Sequence, residues 1–404
     1  MHRKPTVLLI STMDTKYREA EFVMNCLQQV GLDVCTIDAG IMGESPISVS
    51  VSREEVAQLG GETLETVQNM GHEGRALGVM IKGTIRKVEQ LLLEDQFDGV
   101  FGLGGSMGTT LGTSIMRTLP VGIPKVMVTT MGSRNTHGFV GTKDILMLHS
   151  VCDLAGLNRI TEKVLHNGAM AIAGMVRYPA ETTPDDKPLV LLSTLGTTET
   201  CVKKIRAQLL EDGMEPVVFH TVGAGGQAMD EMVQQEHPLA VVDLSLHEIT
   251  DHFFGGDYDA GAERGQAALM AGIPTVLVPG NTDFLVTGPL EDAKIRFPGR
   301  LYHVHNAAIT ALSASEEEMA FLGKHLAGCC NASKGAYRLL VPAKGFSAFD
   351  SEDGPLWNPE GRQAFIDHLT QHISGSQVKI LDCHINDPEF ALAVLKNLNE
   401  MTAH

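Results

Sequence analysis

The sequence predicts an α/β protein made of two doubly wound, Rossmann-like domains with parallel sheets, and three observations predict it. Short β-branched and apolar runs alternate with stretches of helical period along the whole chain, the pattern of parallel strands joined by crossover helices. At 404 residues the chain is too long for one ordinary core. The order of elements also repeats. Leu8-Leu9-Ile10-Ser11-Thr12 is echoed by Leu191-Leu192-Ser193-Thr194, and Val121-Gly122-Ile123-Pro124 by Ala271-Gly272-Ile273-Pro274. Between them, Phe97-Asp98-Gly99-Val100 has a weaker counterpart in Leu239-Ala240-Val241-Val242. Matches that fall in the same order point to an internal duplication of one topology.

Residues 7–11 read as the first strand, 17–30 as a helix with Val23, Leu27 and Val30 on one face, and 33–37 as the second strand. Residues 97–102 and 125–129 form two more strands, each ending in a loop of small residues. The segment from Met175 to Pro188 contains Pro179, Pro184, Asp185 and Asp186 and has no period. Residues 179–187 are therefore read as a linker between an N-terminal domain, 1–178, and a C-terminal domain, 188–404.

With 43% hydrophobic and 20% charged residues, the chain has enough apolar material for two cores. Its formal charge of -18 argues against nucleic acid or an anionic membrane as partner, because both need gathered Lys and Arg. The same charge repels free polyphosphate, so a bound triphosphate is expected to bring Mg²⁺ and to rely on backbone N–H groups. Seven scattered cysteines without a C-x-x-C pair suggest neither a disulfide framework nor a zinc site. No apolar run approaches the roughly 20 residues of a membrane span, and His2-Arg3-Lys4-Pro5 leads directly into Val7-Leu8-Leu9-Ile10, unlike a signal peptide. A cytoplasmic location is the expectation.

Open parallel sheets collect ligands at the carboxyl ends of their strands, where helix N-termini present unpaired N–H groups. The first such turn, Ser11-Thr12-Met13-Asp14-Thr15-Lys16, offers Thr12, Thr15 and Lys16 to a phosphate. Asp14 is either a helix cap or a holder of Mg²⁺ through water. The second turn, Gly102-Leu103-Gly104-Gly105-Ser106-Met107-Gly108-Thr109-Thr110, is the most informative stretch. Close glycines at 104, 105 and 108 let the backbone approach an anion, with Ser106 and Thr109 as hydroxyl donors. It matches neither G-x-x-x-x-G-K-[ST] nor G-x-G-x-x-G, so its weight comes from standing between a strand and a helix. The third turn adds Thr130, Gly132, Ser133 and Arg134, the last a candidate phosphate fork. Asp38 ends the second strand, where a ribose-binding acid or a simple cap would stand.

In the second half, the corresponding loops are Gly196-Thr197-Thr198, the run from His220 to Gly226, and Gly280-Asn281-Thr282-Asp283. Histidines and acids gather here. His220, His305 with Asn306, and His384 are candidates for acid–base chemistry on a carboxylate or keto acid, as in a hydrolase or lyase; each is alternatively a hydrogen-bonded structural side chain. No G-x-S-x-G elbow or H-E-x-x-H helix is present, so serine-hydrolase and zincin readings have no support.

Taken together, Ser11-Thr12-Met13-Asp14-Thr15-Lys16, Gly102-Leu103-Gly104-Gly105-Ser106, Val140-Gly141-Thr142-Lys143-Asp144-Ile145, Asp153-Leu154-Ala155-Gly156-Leu157-Asn158, His305-Asn306 and His384-Ile385-Asn386-Asp387-Pro388-Glu389-Phe390 resemble a family. It is that of the Tm-one-like ATP-binding domain proteins, bacterial and fungal relatives of the inhibitory domain of a plant tobamovirus-resistance protein. The resemblance covers essentially the whole chain. It implies two Rossmann-like domains, ATP bound in the N-terminal one, and dimers. It also implies a TIM-barrel partner protein resembling phosphoenolpyruvate hydrolase, while in the plant protein the domain binds a viral replication protein. Two local departures stand out: Arg134-Asn135 where the family pattern has Gly-Asp, and Ala307 after His305-Asn306 where it has proline. The function expected on this footing is ATP(Mg) binding, with a small carboxylate or keto-acid metabolite acted on or sensed in an interdomain cleft. The rival reading is a non-catalytic, ATP-dependent interaction module.

Overall fold

The computed structural model describes residues 3–180, 187–373 and 375–403, and the chain divides into two compact units, Met1–Thr183 and Pro184–His404. Of the expected linker 179–187, residues 181–186 lie outside the described residues.

In the first unit the chain runs β1 (Thr6–Ser11), α1 (Met13–Gln29), β2 (Asp33–Asp38), α2 (Arg53–Gly60), α3 (Leu64–Gln68), α4 (Glu73–Leu93), β3 (Gly99–Gly104), α5 (Ser106–Met116), β4 (Lys125–Thr129), α6 (His137–Val140), β5 (Leu146–His149) and α7 (Thr161–Arg177). All strands pair in parallel, in the order β2-β1-β3-β4-β5. Alternation along β1 explains the layering. Leu8 and Ile10 pack with Val56, Met80, Val88, Leu111 and Ile115 from α2, α4 and α5. Val7 and Leu9 pack on the other face with Val23 and Leu27 of α1 and Leu165, Ile172 and Val176 of α7. Strands covered on both sides read as continuous apolar runs, as found here.

The second unit runs β6 (Leu189–Thr194), α8 (Glu199–Glu211), β7 (Glu215–His220), α9 (Ala224–Glu236), β8 (Ala240–Ser245), α10 (His247–Phe254), α11 (Ala267–Ala271) and β9 (Thr275–Gly280). It continues through β10 (Phe284–Thr287), α12 (Leu290–Arg296), β11 (Tyr302–Asn306), β12 (Ile309–Ser313), α13 (Glu316–Asn331), β13 (Tyr337–Pro342), α14 (Pro359–His372), β14 (Val378–Leu381) and α15 (Pro388–Thr402). Its main sheet is again parallel, ordered β14-β13-β9-β8-β6-β7. The inner order β7-β6-β8-β9 matches β2-β1-β3-β4, so β1, β3 and β4 correspond to β6, β8 and β9, the three pairs that the sequence repeats single out. Between β9 and β13 the chain inserts an antiparallel sheet, β10-β12-β11, which has no counterpart among the described residues of the first unit. Both Gly-Ile-Pro turns need their glycine, since Gly122 (φ +95°) and Gly272 (φ +77°) are left-handed. No helix among the described residues is long and apolar enough to cross a membrane.

Candidate functional site

Because the strand order reverses direction between β1 and β3, the turns leaving these two strands splay to opposite faces and leave a crevice at their carboxyl ends. A cavity of about 600 Å³ occupies it. Thr12, Asp14, Thr15 and Lys16 line it from the β1–α1 turn, and Gly104, Gly105, Ser106, Met107 and Gly108 from the β3–α5 turn. Ala39, Ile41, Met42, Val67, Ala76 and Leu77 give it an apolar wall.

The β3–α5 turn is shaped for close backbone approach. A Cβ on Gly104 would lie 2.8 Å from Gly108 Cα, so no larger residue fits there. Gly105 is the N-cap of α5 and places no side chain over the helix end. The first amides of a helix have no intrahelical acceptor, so Ser106, Met107 and Gly108 N–H groups are free to meet an anion, helped by the helix dipole. Thr109 lies underneath, fully buried, its Oγ1 donating to Gly105 O at 2.7 Å and paired with Thr129 Oγ1 at 2.5 Å. It positions the turn rather than lining the cavity.

Two acids expected at this site hold the scaffold around it. Asp38 is buried and its Oδ1 accepts the Met13 and Gly40 N–H groups at 3.0 and 2.8 Å, joining β2 to the start of α1. Burial, more than those bonds can offset, raises its pKa. Asp14 Oδ2 accepts from the Met42 and Gly43 amides at 3.1 and 3.3 Å, fastening the loop after β2 beside the cavity. Its Oδ1 is buried, and no hydrogen-bond partner for it stands among the described residues. Among the described residues no three His, Cys, Asp or Glu side chains cluster as a metal site. The third turn borders the glycine turn without lining the cavity: Thr130 N–H donates to Gly104 O at 3.4 Å, Arg134 and Ser133 are exposed, and Gly132 packs against the His149 backbone of β5. Sequence reading missed the apolar wall from α3 and α4, whose residues carry the same helical pattern as any core-facing stretch.

In the second unit the histidine candidates separate. His220 and His305 line one cavity of about 550 Å³, together with Leu195, Gly196, Thr197, Tyr258, Phe284 and Phe349. His384 is built into the scaffold: its Nε2 donates to Ser347 O (2.9 Å) and its Nδ1 accepts the Asn386 N–H (3.1 Å). Asn306 accepts from Ala308 N–H at 2.9 Å and shapes the tight β11–β12 turn. The glycine-rich run after β7 is occupied from within, since the Gly223 and Gly226 amides donate to Glu248 Oε1 at 2.7 and 3.0 Å. Glu248 is in turn held by the buried Arg264, which also grips Asp243 through two bonds of 2.6 and 2.8 Å.

Family models for the N-terminal and C-terminal domains of the uncharacterised protein family UPF0261 match residues 5–181 and 187–402. The chain belongs to the UPF0261 family. Among its relatives, a UPF0261 protein of Clostridium tetani is 36% identical over 397 residues, covering 98% of both chains. The ToMV resistance protein Tm-1(GCR237) of Solanum lycopersicum is 30% identical over 423 residues, covering 98% of this chain and 56% of the tomato protein. Among solved structures, MurG of Acinetobacter baumannii aligns over 99% of this chain and 100% of its own at 13% identity, with a TM-score of 0.26, too slight a likeness to argue from.

Proposed function

We propose that the N-terminal unit binds a nucleotide, ATP on the family resemblance, with the phosphates against the first turn of α5 and the base along the apolar wall. One observation carries the reading: free helix amides, the Thr15 hydroxyl and Lys16 border a single cavity at the switch point of the sheet. Its volume lies within the roughly 300–1,000 Å³ of small-molecule sites. In a chain of charge -18, a polyphosphate needs such local donors to overcome the overall field. Ile41, Met42 and Leu77 supply the apolar contact a purine ring requires. Asp14 holds the 42–43 loop through Oδ2, and any Mg²⁺ would enter on the phosphates, with Asp14 beside it at the cavity wall to meet its water shell.

The test is a thermal shift of the full chain against ATP with and without Mg²⁺. At a ligand concentration of ~100 Kd, the stabilisation of about 2.7 kcal/mol should raise the first unit's Tm by roughly 5–10 °C. Gly105→Asp brings a carboxylate to the place of the phosphate, its Cβ having 3.9 Å to Thr130 Oγ1, and should abolish the shift; Lys16→Met, by weakening affinity about tenfold, should roughly halve it. A wild-type chain that melts unchanged, or a shift that survives Gly105→Asp, would sink the proposal.

A further inference from the structure

We infer that the C-terminal unit carries a second ligand site, independent of the nucleotide site, which takes a small planar aromatic carboxylate. The cavity bordered by His220 and His305 stands by the turn after β6, the counterpart of β1, so the fold places it where the first unit has its own pocket. Its roof is the inserted sheet: Phe284 and Val286 of β10, His305 of β11, and Ile309 and Ala311 at β12 all line it.

The walls select the ligand's body. Phe284 and Phe349 meet edge to face with centroids 5.2 Å apart, and His303 packs at a tilt on Phe349 at 4.6 Å. Such a surface favours a flat ring, which stacks or meets it edge-on, over a branched aliphatic chain. The polar groups select its head. Tyr258 Oη, His220 and His305 make no side-chain hydrogen bond among the described residues, and no lysine or arginine lines the cavity. Burial, with Asp251 and Asp257 nearby, keeps the Tyr258 phenol protonated and therefore a donor. A phenol and two imidazoles can donate to one carboxylate, while a polyphosphate would find no full positive charge here.

Two features show that this geometry is built. His305 falls at a register shift between Val304 and Asn306, where β11 carries one residue more than β12; a bulge of this kind re-aims a side chain. The floor is also fixed from below. Thr197 Oγ1 donates to Asn281 Oδ1, Thr197 O accepts from Ala348 N–H and Asn386 Nδ2, and Asn281 Nδ2 donates to Ser245 Oγ at 2.7 Å. Asn281 holds this position with a left-handed backbone (φ +62°), a conformation uncommon outside glycine. His384 and Asn386 are thus positioning residues for the floor.

The experiment uses the full chain and 2-naphthoate, with 2-naphthol and cyclohexanecarboxylate as controls, followed by isothermal titration and ligand-observed NMR. Saturable binding of 2-naphthoate, at least tenfold tighter than either control, is expected. A Tyr258→Phe/His305→Gln double variant with a native Tm should bring the naphthoate-to-naphthol ratio near one, and Phe349→Ala should weaken both ring ligands at least tenfold. Gly105→Asp should leave all of this unchanged, so failure of the nucleotide site and of this one are told apart. Absence of saturable binding, a ratio unaltered in the double variant, or equal binding of the cyclohexane acid would overturn the assignment.

Discussion

The turn after β3 and the turn after β8 occupy the same place in two sheets of the same order, yet only the first is open. In the first unit it reads Gly104-Gly105-Ser106-Met107-Gly108 and borders a cavity. In the second it reads Ser245-Leu246-His247-Glu248, every residue buried, with Glu248 already accepting two amides of the neighbouring loop. The fold therefore fixes where a ligand can approach, and the side chains of one turn decide whether it does. Glu248 fills the amides of the loop after β7 much as Asp14 accepts the Met42 and Gly43 amides after β2 in the first unit. What differs is the turn itself, closed by buried side chains after β8 and left to glycines after β3.

The largest expected effect comes from breaking that internal arrangement. Arg264 is wholly buried and holds Asp243 and Glu248 together. Removing one partner leaves uncompensated charge in a dry site, so Arg264→Ala should cost the second unit roughly 3–5 kcal/mol. The readout is a lower denaturation midpoint for the full chain, with hydrogen exchange faster in β8 and α10 and unchanged in β1–β5. An unaltered midpoint would mean that the network does not hold the closed turn.

A smaller effect separates the units by pH. Asp283 is fully buried; burial first, and the Asp350 charge second, push its pKa from 3.8 up to about 7. Its Oδ2 accepts from Ser347 at 2.6 Å, while Oδ1 has no partner among the described residues. Between these two values the folded chain holds a proton that the unfolded chain has released. The contribution to stability is thus complete below pH ~4 and is lost as pH rises through 7. The wild-type second unit should melt roughly 3–6 °C lower at pH 8 than at pH 5, and Asp283→Asn should remove most of that difference. Identical slopes for the two proteins would assign the pH dependence elsewhere.

What was legible in the sequence follows the same division. Strands such as β1 and β4 are buried on both faces and announce themselves as apolar runs, and the duplicated turns mark β1, β3 and β4 in both halves. β3 is displaced, expected at 97–102 and found at Gly99–Gly104, because glycine has little preference for strands and only pairing of Gly102 and Gly104 with Met127 and Thr129 extends it. α1 starts at Met13 rather than Tyr17; its polar first turn looks like loop, and Lys16 leaves helical geometry (φ -123°, ψ 16°). α7 continues to Arg177, into the stretch whose prolines suggest a linker. The inserted sheet has no Asn-Gly or Asp-Gly turn to signal it, so the aromatic wall it helps form was unreadable. For the site, the glycine-rich turn was found from local sequence alone. Which side of the switch point a turn occupies depends on strand order, and this is why Arg134 and its neighbours, beyond β4, fall outside the cavity.

The smallest effect is also the one that best separates a ligand site from a mere turn. Gly105 is the N-cap of α5, with extended backbone (φ -77°, ψ -158°) and no side-chain cap. Aspartate is a preferred N-cap and places negative charge at the positive end of the helix dipole, so Gly105→Asp should raise the stability of the ligand-free first unit by a few tenths of a kcal/mol, about 1 °C in Tm. The same substitution should eliminate the ATP-induced shift. A turn that only connects a strand to a helix gains from a better cap and loses nothing. On the proposed reading, a turn that keeps glycine there at a cost in stability leaves the space over its amides open to an anion. A melting temperature that falls on substitution would show that the carboxylate cannot reach the amides, and would break the argument that they are open.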